Sequence, residues 1–202
     1  VFNKNKILPN NLILLDIGCK YNNYCSDITR TFPKSGKFSL TQKRIYTVVL
    51  KCHKYSIGQL RDGINWIQLE ISTRLLMYDL LLELNLVYKT NSLKIKIAIT
   101  RIFMPHKLGH TLGLEVHDTE PNRKLKILRK NMVVTIEPGI YFINDLLNSS
   151  EFINMTQVKK YVNIGGIRIE DTILVNNNGC RLLSNIPVEI NEIENMMSSN
   201  FN

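Results

Sequence analysis

The sequence predicts an α+β fold in which an antiparallel sheet is covered on one face by helices. An apolar run at Leu12–Leu15 and an alternating run at Ser26–Phe32, separated by a polar turn, indicate two antiparallel strands. Two further strand signals lie at Met132–Ile136 and Gly166–Val175, and long helical stripes separate the early pair from the late pair. Strand pairs and helices arranged in this way are typical of an antiparallel sheet with a helix layer.

The composition predicts one globular domain over residues 1–202. The chain has 44% hydrophobic and 21% charged residues, which is ordinary for a folded domain. Its formal net charge of +9 comes from scattered lysines and arginines, without a basic helix face or interleaved aromatic residues, so no nucleic-acid partner is expected. Because no apolar run is long enough to cross a bilayer, no membrane partner is expected either.

The cysteines bear on the cellular compartment. None of the four belongs to a CxxC pair, and their spacing indicates neither a zinc site nor a disulfide framework. This usage favours a reducing compartment, so we expect a cytoplasmic protein. The four are Cys19, Cys25, Cys52 and Cys180.

Each strand of the first predicted pair carries a carboxylate. Asp16 follows the apolar run, and Asp27 opens the alternating run. A carboxylate on a buried strand is costly unless a positive charge meets it. Across a hairpin these two carboxylates could face each other and share a cation. The alternative is that one is an exposed turn residue and the other a strand-end residue.

Two helices are predicted between the strand pairs. Ser39 followed by Gln42 has the pattern of a capping box, and the first helix is expected to reach about Gln59. The second is expected from Trp66 to Leu86, and core packing is the expected role of both. Their predicted stripes contain Ile45, Val48, Val49, Cys52 and Ser56 in the first helix, and Ile67, Ile71, Leu75, Tyr78, Leu82 and Leu86 in the second.

Two segments lie outside these elements. Residues 88–100, which contain several lysines and isoleucines, receive no assignment. An acidic segment from Glu189 to Met197, preceded by Pro187, predicts a short terminal helix.

One segment, Phe103–His117, holds three of the four histidines: His106, His110 and His117. The spacing of His106 and His110 resembles half of a helical zinc-protease motif. However, no Glu follows the first His, and Pro105 and Gly109 disfavour a stable helix. For a single histidine, a hydrogen-bonded loop residue is the ordinary alternative. That alternative weakens here because carboxylates on predicted strands occur on both sides of the segment.

The later strand signals also carry carboxylates, Glu137 at the end of one and Glu170 in the middle of the other. If these two converge with Asp16, Asp27 and His110, four carboxylates would need two divalent cations for neutrality. A single cation would leave an expensive negative charge in a low-dielectric site. Oxygen ligands with one imidazole favour Mn, Fe or Co over a thiolate-type zinc site. Two such ions could activate a shared water for attack on an amide or ester carbonyl.

Four segments together resemble the pita-bread metallopeptidases, peptidase family M24, which include methionine aminopeptidase, aminopeptidase P and prolidase. They are Leu15–Gly18 with Ser26–Pro33, Met104–His110 with Val116–Asp118, Thr135–Phe142, and Ile167–Asp171. The segments occur in the family's order over most of the chain.

Within the family the closest resemblance is to prolidase, the Xaa-Pro dipeptidase. Two features of the sequence favour it over aminopeptidase P. The segment Gly139–Leu147 resembles the prolidase extension after the first catalytic glutamate, which corresponds to Glu137. The long spacing between Glu137 and Glu170 also resembles that of prolidases.

The resemblance implies a pita-bread fold and a pair of Mn-type ions. Asp16 would hold one ion, His110 and Glu137 would hold the other, and Asp27 and Glu170 would bridge both. The resemblance also implies a catalytic set of His117, His106 and Glu137, in which His117 stabilises the tetrahedral oxyanion and His106 lines the pocket.

For substrate binding, the resemblance points to His117, Arg168 and Arg123. Arg123 would grip the free carboxylate of the substrate, a task that suits a guanidinium fork. The connection from His117 to Arg123 is shorter than in typical prolidases, so Arg129 is an alternative for this role. Lys107 also departs from the family, which usually has glycine after the first histidine.

The implied activity is hydrolysis of Xaa-Pro dipeptides by a metal-bridging hydroxide that attacks the peptide carbonyl. The alternatives are an aminopeptidase P acting on longer Xaa-Pro peptides, and a non-catalytic or incomplete pita-bread protein. The family's catalytic domain normally begins well before the first Asp, so the chain is expected to be a C-terminal catalytic fragment and a poor enzyme as it stands. A small peptide is the expected partner, and a homodimer is an open alternative for the assembly.

Overall fold

The computed structural model describes residues 6–118 and 126–199. Its first unit is an antiparallel hairpin of β1 (Leu12–Ile17) and β4 (Ile28–Pro33), in which Asp16 lies opposite Thr29. A small two-stranded ribbon, β2 (Lys20–Tyr21) with β3 (Tyr24–Cys25), occupies the connection that the sequence predicts as a simple turn. The predicted strand pair is therefore confirmed, with an additional ribbon at its tip.

Helix α1 (Leu40–Gln59) follows the hairpin and has the predicted boundaries. The Ser39 side chain accepts a hydrogen bond from the Gln42 backbone N–H, and the Gln42 side chain bonds the Ser39 backbone in return. This capping box satisfies two N–H groups that the first turn leaves without helical partners. The predicted stripe of α1 is buried throughout: Ile45, Val48, Val49, Cys52 and Ser56.

Helix α2 (Trp66–Glu83) packs against α1, and helix α3 (Leu93–Phe103) packs against α2. The predicted stripe of α2 is wrong at its start, because Ile67 and Ile71 are exposed. The buried residues of α2 are Trp66, Leu69, Thr73, Arg74, Met77, Tyr78, Leu80 and Leu81. Helix α3, which begins after the cap Ser92, occupies the stretch that received no assignment.

The second unit is a long, interrupted hairpin. One arm consists of β5 (Val133–Ile136) and β6 (Gly139–Tyr141), and the other of β7 (Gly166–Arg168) and β8 (Asp171–Asn176). Each arm is interrupted at a predicted metal ligand. Glu137 lies between β5 and β6, and Glu170 lies between β7 and β8. A further strand, β9 (Gly179–Leu182), pairs with β8 after a tight turn.

The two hairpins meet edge to edge. Thr29 and Glu170 form an antiparallel bridge, in which the Glu170 N–H donates to the Thr29 carbonyl at 3.0 Å. The Thr31 hydroxyl bonds the Arg168 backbone carbonyl at 2.9 Å. This junction places the carboxylates of both hairpins beside each other.

The remaining elements are short. They are helices α4 (Asn144–Leu147) and α5 (Met155–Val158), a 3-10 turn (Val162–Ile164) and the terminal helix α6 (Ile190–Ser199), which the sequence predicts. None of the helices in the described part of the chain combines the length and apolar character needed to cross a bilayer.

Candidate active site

Asp27, His110 and Glu170 form the centre of a cluster of metal-ligating side chains. One ligand atom of each lies within 4.8 Å of those of the other two. His110 Nε2 is also 3.4 Å from Asp27 Oδ2 and 3.4 Å from Glu137 Oε1. The structure thus brings four of the five predicted metal ligands together, on segments far apart in the chain.

Asp16, the fifth predicted ligand, lies at the solvent-exposed rim of the cluster. Its strand partner is Thr29, whose hydroxyl bonds Glu170, so Asp16 and Glu170 lie on the same face of the sheet. The Asp16 side chain is 50% exposed and contacts the Arg168 guanidinium. All five predicted ligands therefore face one region.

The segment that carries His110 runs along β5 like a partial extra strand. The Thr135 N–H donates to the His110 carbonyl at 2.8 Å, and the Glu137 N–H donates to the Leu108 carbonyl at 2.8 Å. A Cβ at Gly109 would lie 2.0 Å from the Thr135 carbonyl oxygen, so only glycine permits this close approach. The segment is consequently fixed on β5 without being a helix, as Pro105 predicts.

Hydrogen bonding fixes the orientation of the His110 ring. Its Nδ1 lies 3.0 Å from the Thr111 carbonyl oxygen, which can only accept, so Nδ1 carries a proton. Nε2 is then the nitrogen that faces Asp27 and Glu137. A backbone carbonyl on the far nitrogen is the usual support of a metal-binding imidazole.

Two threonine hydroxyls orient the two glutamates. Thr29 Oγ1 donates to Glu170 Oε2 at 2.6 Å, and Thr135 Oγ1 donates to Glu137 Oε1 at 3.2 Å. Thr135 Oγ1 also accepts from the His110 backbone N–H at 3.0 Å. Each glutamate therefore keeps its second carboxylate oxygen for another partner.

The carboxylates are buried close to one another, which makes their charged forms costly. Burial, reinforced by neighbouring carboxylates, raises the pKa of Glu137 to about 7 and that of Glu170 to about 8. Burial and the charge of Asp16 likewise raise the pKa of Asp27. Such a cluster fits divalent cations, because they would offset this repulsion and because carboxylate oxygens with one imidazole suit Mn-type ions.

His117 lies against the cluster. Its ring centroid is 4.4 Å from that of His110, and the two rings are nearly perpendicular. The structure thus places this predicted catalytic residue beside the predicted ligands.

His106 and Arg168 are joined through Tyr141. The Arg168 Nη1 donates to the Tyr141 hydroxyl at 2.8 Å, and that hydroxyl lies 3.0 Å from His106 Nε2. His106 Nδ1 lies 2.7 Å from the Lys107 carbonyl, so Nδ1 carries a proton and Nε2 accepts from the tyrosine. Burial lowers the pKa of His106, which favours this neutral form.

The arginines that are predicted to bind substrate differ in where the structure places them. Arg123 lies outside the described residues. Arg129, the alternative, is exposed, and its backbone N–H donates to Met132 Sδ at 3.3 Å in the turn before β5. Arg168 is engaged with Asp16, Tyr141 and Thr29, so its visible contacts support the site itself.

Thr29, Thr135 and Tyr141 were not predicted from the sequence as residues of the site. Strand alternation was the available signal, because Thr29 lies two residues after Asp27 and Thr135 two before Glu137, on the same strand faces. Tyr141 lies four residues after Glu137, which again gives the same face. Threonine is common in strands for reasons of packing, so the pattern alone does not separate a supporting hydroxyl from an ordinary strand residue.

Curated proteins of similar sequence are named as probable Xaa-Pro aminopeptidases. The chain is 37% identical over 207 residues to a probable Xaa-Pro aminopeptidase of Fusarium vanettenii, covering 93% of this chain and 45% of the relative. It is 37% identical over 204 residues to another of Paracoccidioides lutzii, covering 91% of this chain and 44% of the relative. The chain therefore spans less than half the length of these relatives.

Solved structures agree as well. Aminopeptidase PepP of Pseudomonas aeruginosa superposes with a TM-score of 0.84 at 36% identity, over 98% of this chain and 43% of that one. Zinc-substituted E. coli aminopeptidase P in complex with product superposes with a TM-score of 0.79 at 33% identity, over 95% and 42%. These matches confirm the predicted pita-bread fold. The relatives and structures named here are aminopeptidases rather than prolidases, so the predicted closest resemblance to prolidase is slightly off within the family.

The family model for metallopeptidase family M24 matches residues 2–177, which include every predicted metal ligand. The family match, the names of the relatives and the clustered ligand residues all indicate a metallopeptidase. The chain belongs to metallopeptidase family M24.

Proposed function

We propose that this protein is a dinuclear-metal peptidase that hydrolyses the bond between an N-terminal residue and proline. The observation that carries the proposal is the buried cluster of carboxylates around His110 Nε2. Such a cluster is costly without cations, and its donor atoms suit a pair of Mn-type ions. Two divalent ions, when bound, would supply an activated water and polarise the peptide carbonyl.

The positions of the predicted ligands suggest how they would hold the ions. Asp27, His110 and Glu170 lie at the centre, with Glu137 beside His110 and Asp16 at the rim, and these five residues would hold the ions. Arg168 would keep Asp16 oriented, since its guanidinium contacts that carboxylate. Outer groups of this kind commonly tune metal affinity.

His117 and His106 would act on the substrate. The imidazole of His117 lies against His110 and would donate a hydrogen bond to the developing oxyanion of the peptide carbonyl. His106, half-buried and bonded to Tyr141, would form part of the pocket wall. Both side chains belong to the histidine-rich segment that also carries His110.

The substrate class divides into two candidates. A dipeptidase needs a cation for the substrate's free carboxylate, a role proposed for Arg123 with Arg129 as the alternative. An aminopeptidase acting on longer peptides does not, and the names of the relatives favour it. The resemblance of the motifs favours the dipeptidase and the names of the relatives favour the aminopeptidase, so we propose the two as equal candidates.

A metal titration followed by two substrates tests the proposal. We expect the chain to bind two equivalents of Mn²⁺ by calorimetry, and His110→Ala to lose at least one of them. Lys107→Gly is a matched control in the same segment and should retain both. An Xaa-Pro dipeptide and an Xaa-Pro tripeptide then separate the candidates. Binding of no Mn²⁺ by the unsubstituted chain would contradict the proposal.

A further inference from the structure

Behind the ligand cluster, on the opposite side of β4, lies a buried arginine that uses all its donors. A guanidinium has five N–H groups, and Arg30, which is 8% exposed, makes five hydrogen bonds. Its acceptors are Pro187 O at 3.1 Å, Thr29 O at 3.0 Å, Glu170 O at 2.6 Å, Ile186 O at 2.8 Å and Asp171 Oδ1 at 2.6 Å.

These bonds join three separate parts of the chain. Arg30 belongs to β4 of the first hairpin, Glu170 and Asp171 belong to the second hairpin, and residues 186–187 precede α6. Two of the five acceptors are the carbonyls of Thr29 and Glu170, the pair that bridges the hairpins. The guanidinium therefore lies at the junction that brings the metal-ligand candidates together.

We propose that Arg30 is a positioning residue for Glu170. Anchored on Asp171 and on the 186–187 carbonyls, it holds the Thr29 and Glu170 backbones in register, so that the Thr29 hydroxyl meets the Glu170 carboxylate. This inference rests on the proposed function only for the metal that Glu170 would bind. The positioning itself is a property of the chain without metal.

The chain of contacts from Arg30 to the carboxylate is short. Thr29 O accepts from both the Glu170 N–H at 3.0 Å and Arg30 Nη1 at 3.0 Å. On the other face of the same two residues, Thr29 Oγ1 donates to Glu170 Oε2 at 2.6 Å. A shift of either backbone would lengthen that bond and turn the carboxylate away from His110.

Asp171 is the anchor of the guanidinium. It is fully buried and also receives a hydrogen bond from the Ser184 hydroxyl, while His53 Nε2 of α1 lies 3.1 Å from its Oδ2. Lysine could keep the charge at position 30, but an ammonium has three donors without the planar fork. Arg30→Lys therefore removes the geometry of the network while it leaves the charge in place.

Amide hydrogen exchange of the chain in a chelator tests the positioning. In Arg30→Lys we expect the Glu170 N–H to exchange at least about tenfold faster relative to the Val175 N–H, which donates to Met132 O in the same hairpin. A change that acts only through global stability would speed both amides by the same factor. Equal acceleration of the two would overturn the inference.

Arg74→Lys is the matched control. Arg74 is 4% exposed, and its guanidinium donates to the carbonyls of Met104 and His106 and to the Glu70 carboxylate. We expect its replacement to leave the ratio of the Glu170 and Val175 exchange rates unchanged. An equal change of that ratio in both variants would also overturn the inference.

Ser184→Ala provides a milder variant if Arg30→Lys fails to fold. Loss of the Ser184 hydroxyl weakens the anchor of Arg30 without touching the guanidinium, so the same ratio should rise by a smaller factor. No change of the ratio would count against the positioning role.

A Mn²⁺ titration then connects the positioning to the site. Outer-sphere changes typically weaken metal affinity by about 10–100-fold, and we expect a loss in this range for Arg30→Lys and little change for Arg74→Lys. If the unsubstituted chain binds no Mn²⁺, the proposed function fails, while the exchange ratio still decides the positioning of Glu170.

Discussion

Glu170 and Asp171 are consecutive residues whose carboxyl groups lie in opposite electrostatic settings. Burial and the nearby carboxylates of Glu137, Asp27 and Asp16 raise the pKa of Glu170 to about 8. Burial alone would also raise the pKa of Asp171, but His53, Arg30 and Ser184 together lower it. Strand alternation sends the two side chains to opposite faces, where they meet these different neighbours.

The difference distinguishes a structural cluster around Asp171 from a candidate functional cluster around Glu170. Around Asp171 the protein supplies the charge of Arg30 and a hydrogen bond from Ser184, both at Oδ1, while Oδ2 lies 3.1 Å from His53 Nε2 without a well-aligned hydrogen bond. The charge of the buried carboxylate is therefore offset within the chain. Around Glu170 the compensation is incomplete, and carboxylates accumulate instead. A buried carboxyl whose pKa is strongly raised by burial and by neighbouring carboxylates is more typical of a functional site than of a core.

Replacing Glu170 should have the largest effect on the site. Glu170→Gln removes the charge that two ions would share, so we expect Mn²⁺ affinity and peptidase turnover to fall by more than about 100-fold, beyond the loss typical of an outer-sphere change. Lys107→Gly, a change in the neighbouring loop, should alter both by much less. Calorimetry and turnover on an Xaa-Pro peptide measure the effects, and equal losses in the two variants would contradict the assignment.

Replacing Asp171 should have the largest effect on stability. Asp171→Asn leaves the Arg30 charge buried without its partner, which should lower the free energy of unfolding by about 3–5 kcal/mol. Lys43→Met breaks the more exposed pair of Lys43 with Glu194 and should cost less than about 1 kcal/mol. Urea unfolding compares the two, and similar losses would remove the distinction between the clusters.

The pH dependence of stability should differ between the two carboxylates. Without metal, the raised pKa of Glu170 gives stability that is fully present below its unfolded value of about 4.3 and is lost as pH rises through about 8. The lowered pKa of Asp171 gives the reverse: stability present above about 3.9 and lost as pH falls further.

The free energy of unfolding, measured by urea titration in a chelator, should therefore decline from about pH 5 to pH 8 by an amount on the order of a few kcal/mol. Added Mn²⁺ should remove most of the decline, because bound cations favour the ionised carboxylates. Glu170→Gln should make the decline without metal smaller, and the part that remains belongs to Glu137, whose pKa is raised to about 7. If the free energy of unfolding of the unsubstituted chain did not change over this pH range, the pKa of Glu170 would not be raised by its surroundings.

Tyr141→Phe should have the smallest effect of these changes. The variant loses the hydroxyl that bonds both His106 and Arg168, and each of these two hydrogen bonds contributes about 0.5–1.5 kcal/mol, or roughly two- to tenfold in rate. Mn²⁺ stoichiometry should remain unchanged, since Tyr141 is not a predicted ligand. Loss of a Mn²⁺ equivalent in this variant would place Tyr141 closer to the metals than we propose.

Local signals predicted the elements that local chemistry determines. The capping box at Ser39 and Gln42 and the stripe of α1 are confirmed because adjacent residues specify both. Helix α3 escaped prediction because its isoleucines are common in strands, so that only the cap at Ser92 and tertiary packing indicate a helix. Helix α2 is apolar around most of its surface, so the spacing of its apolar residues does not identify the face that is buried.

The ligands could be found from the motifs, but their supports could not. Asp27 and His110 have side chains, a carboxylate and an imidazole, that are common metal ligands, so their residue types already suggest their roles. Arg30 gives no such signal, because its five bonds depend on carbonyls brought together only by the fold. A buried arginine with an acidic partner distant in sequence cannot be distinguished from a surface arginine by composition alone.

The bridge between Thr29 and Glu170 joins residues separated by 141 positions along the chain. Closing so large a loop has an entropic cost that must be met before the contact stabilises anything, and non-local contacts of this kind slow folding. During synthesis, the ribosome must release the second hairpin before the first can meet its partner. A nascent chain that ends before β7 can hold Asp16, Asp27 and His110, but it has no Glu170 to complete the centre.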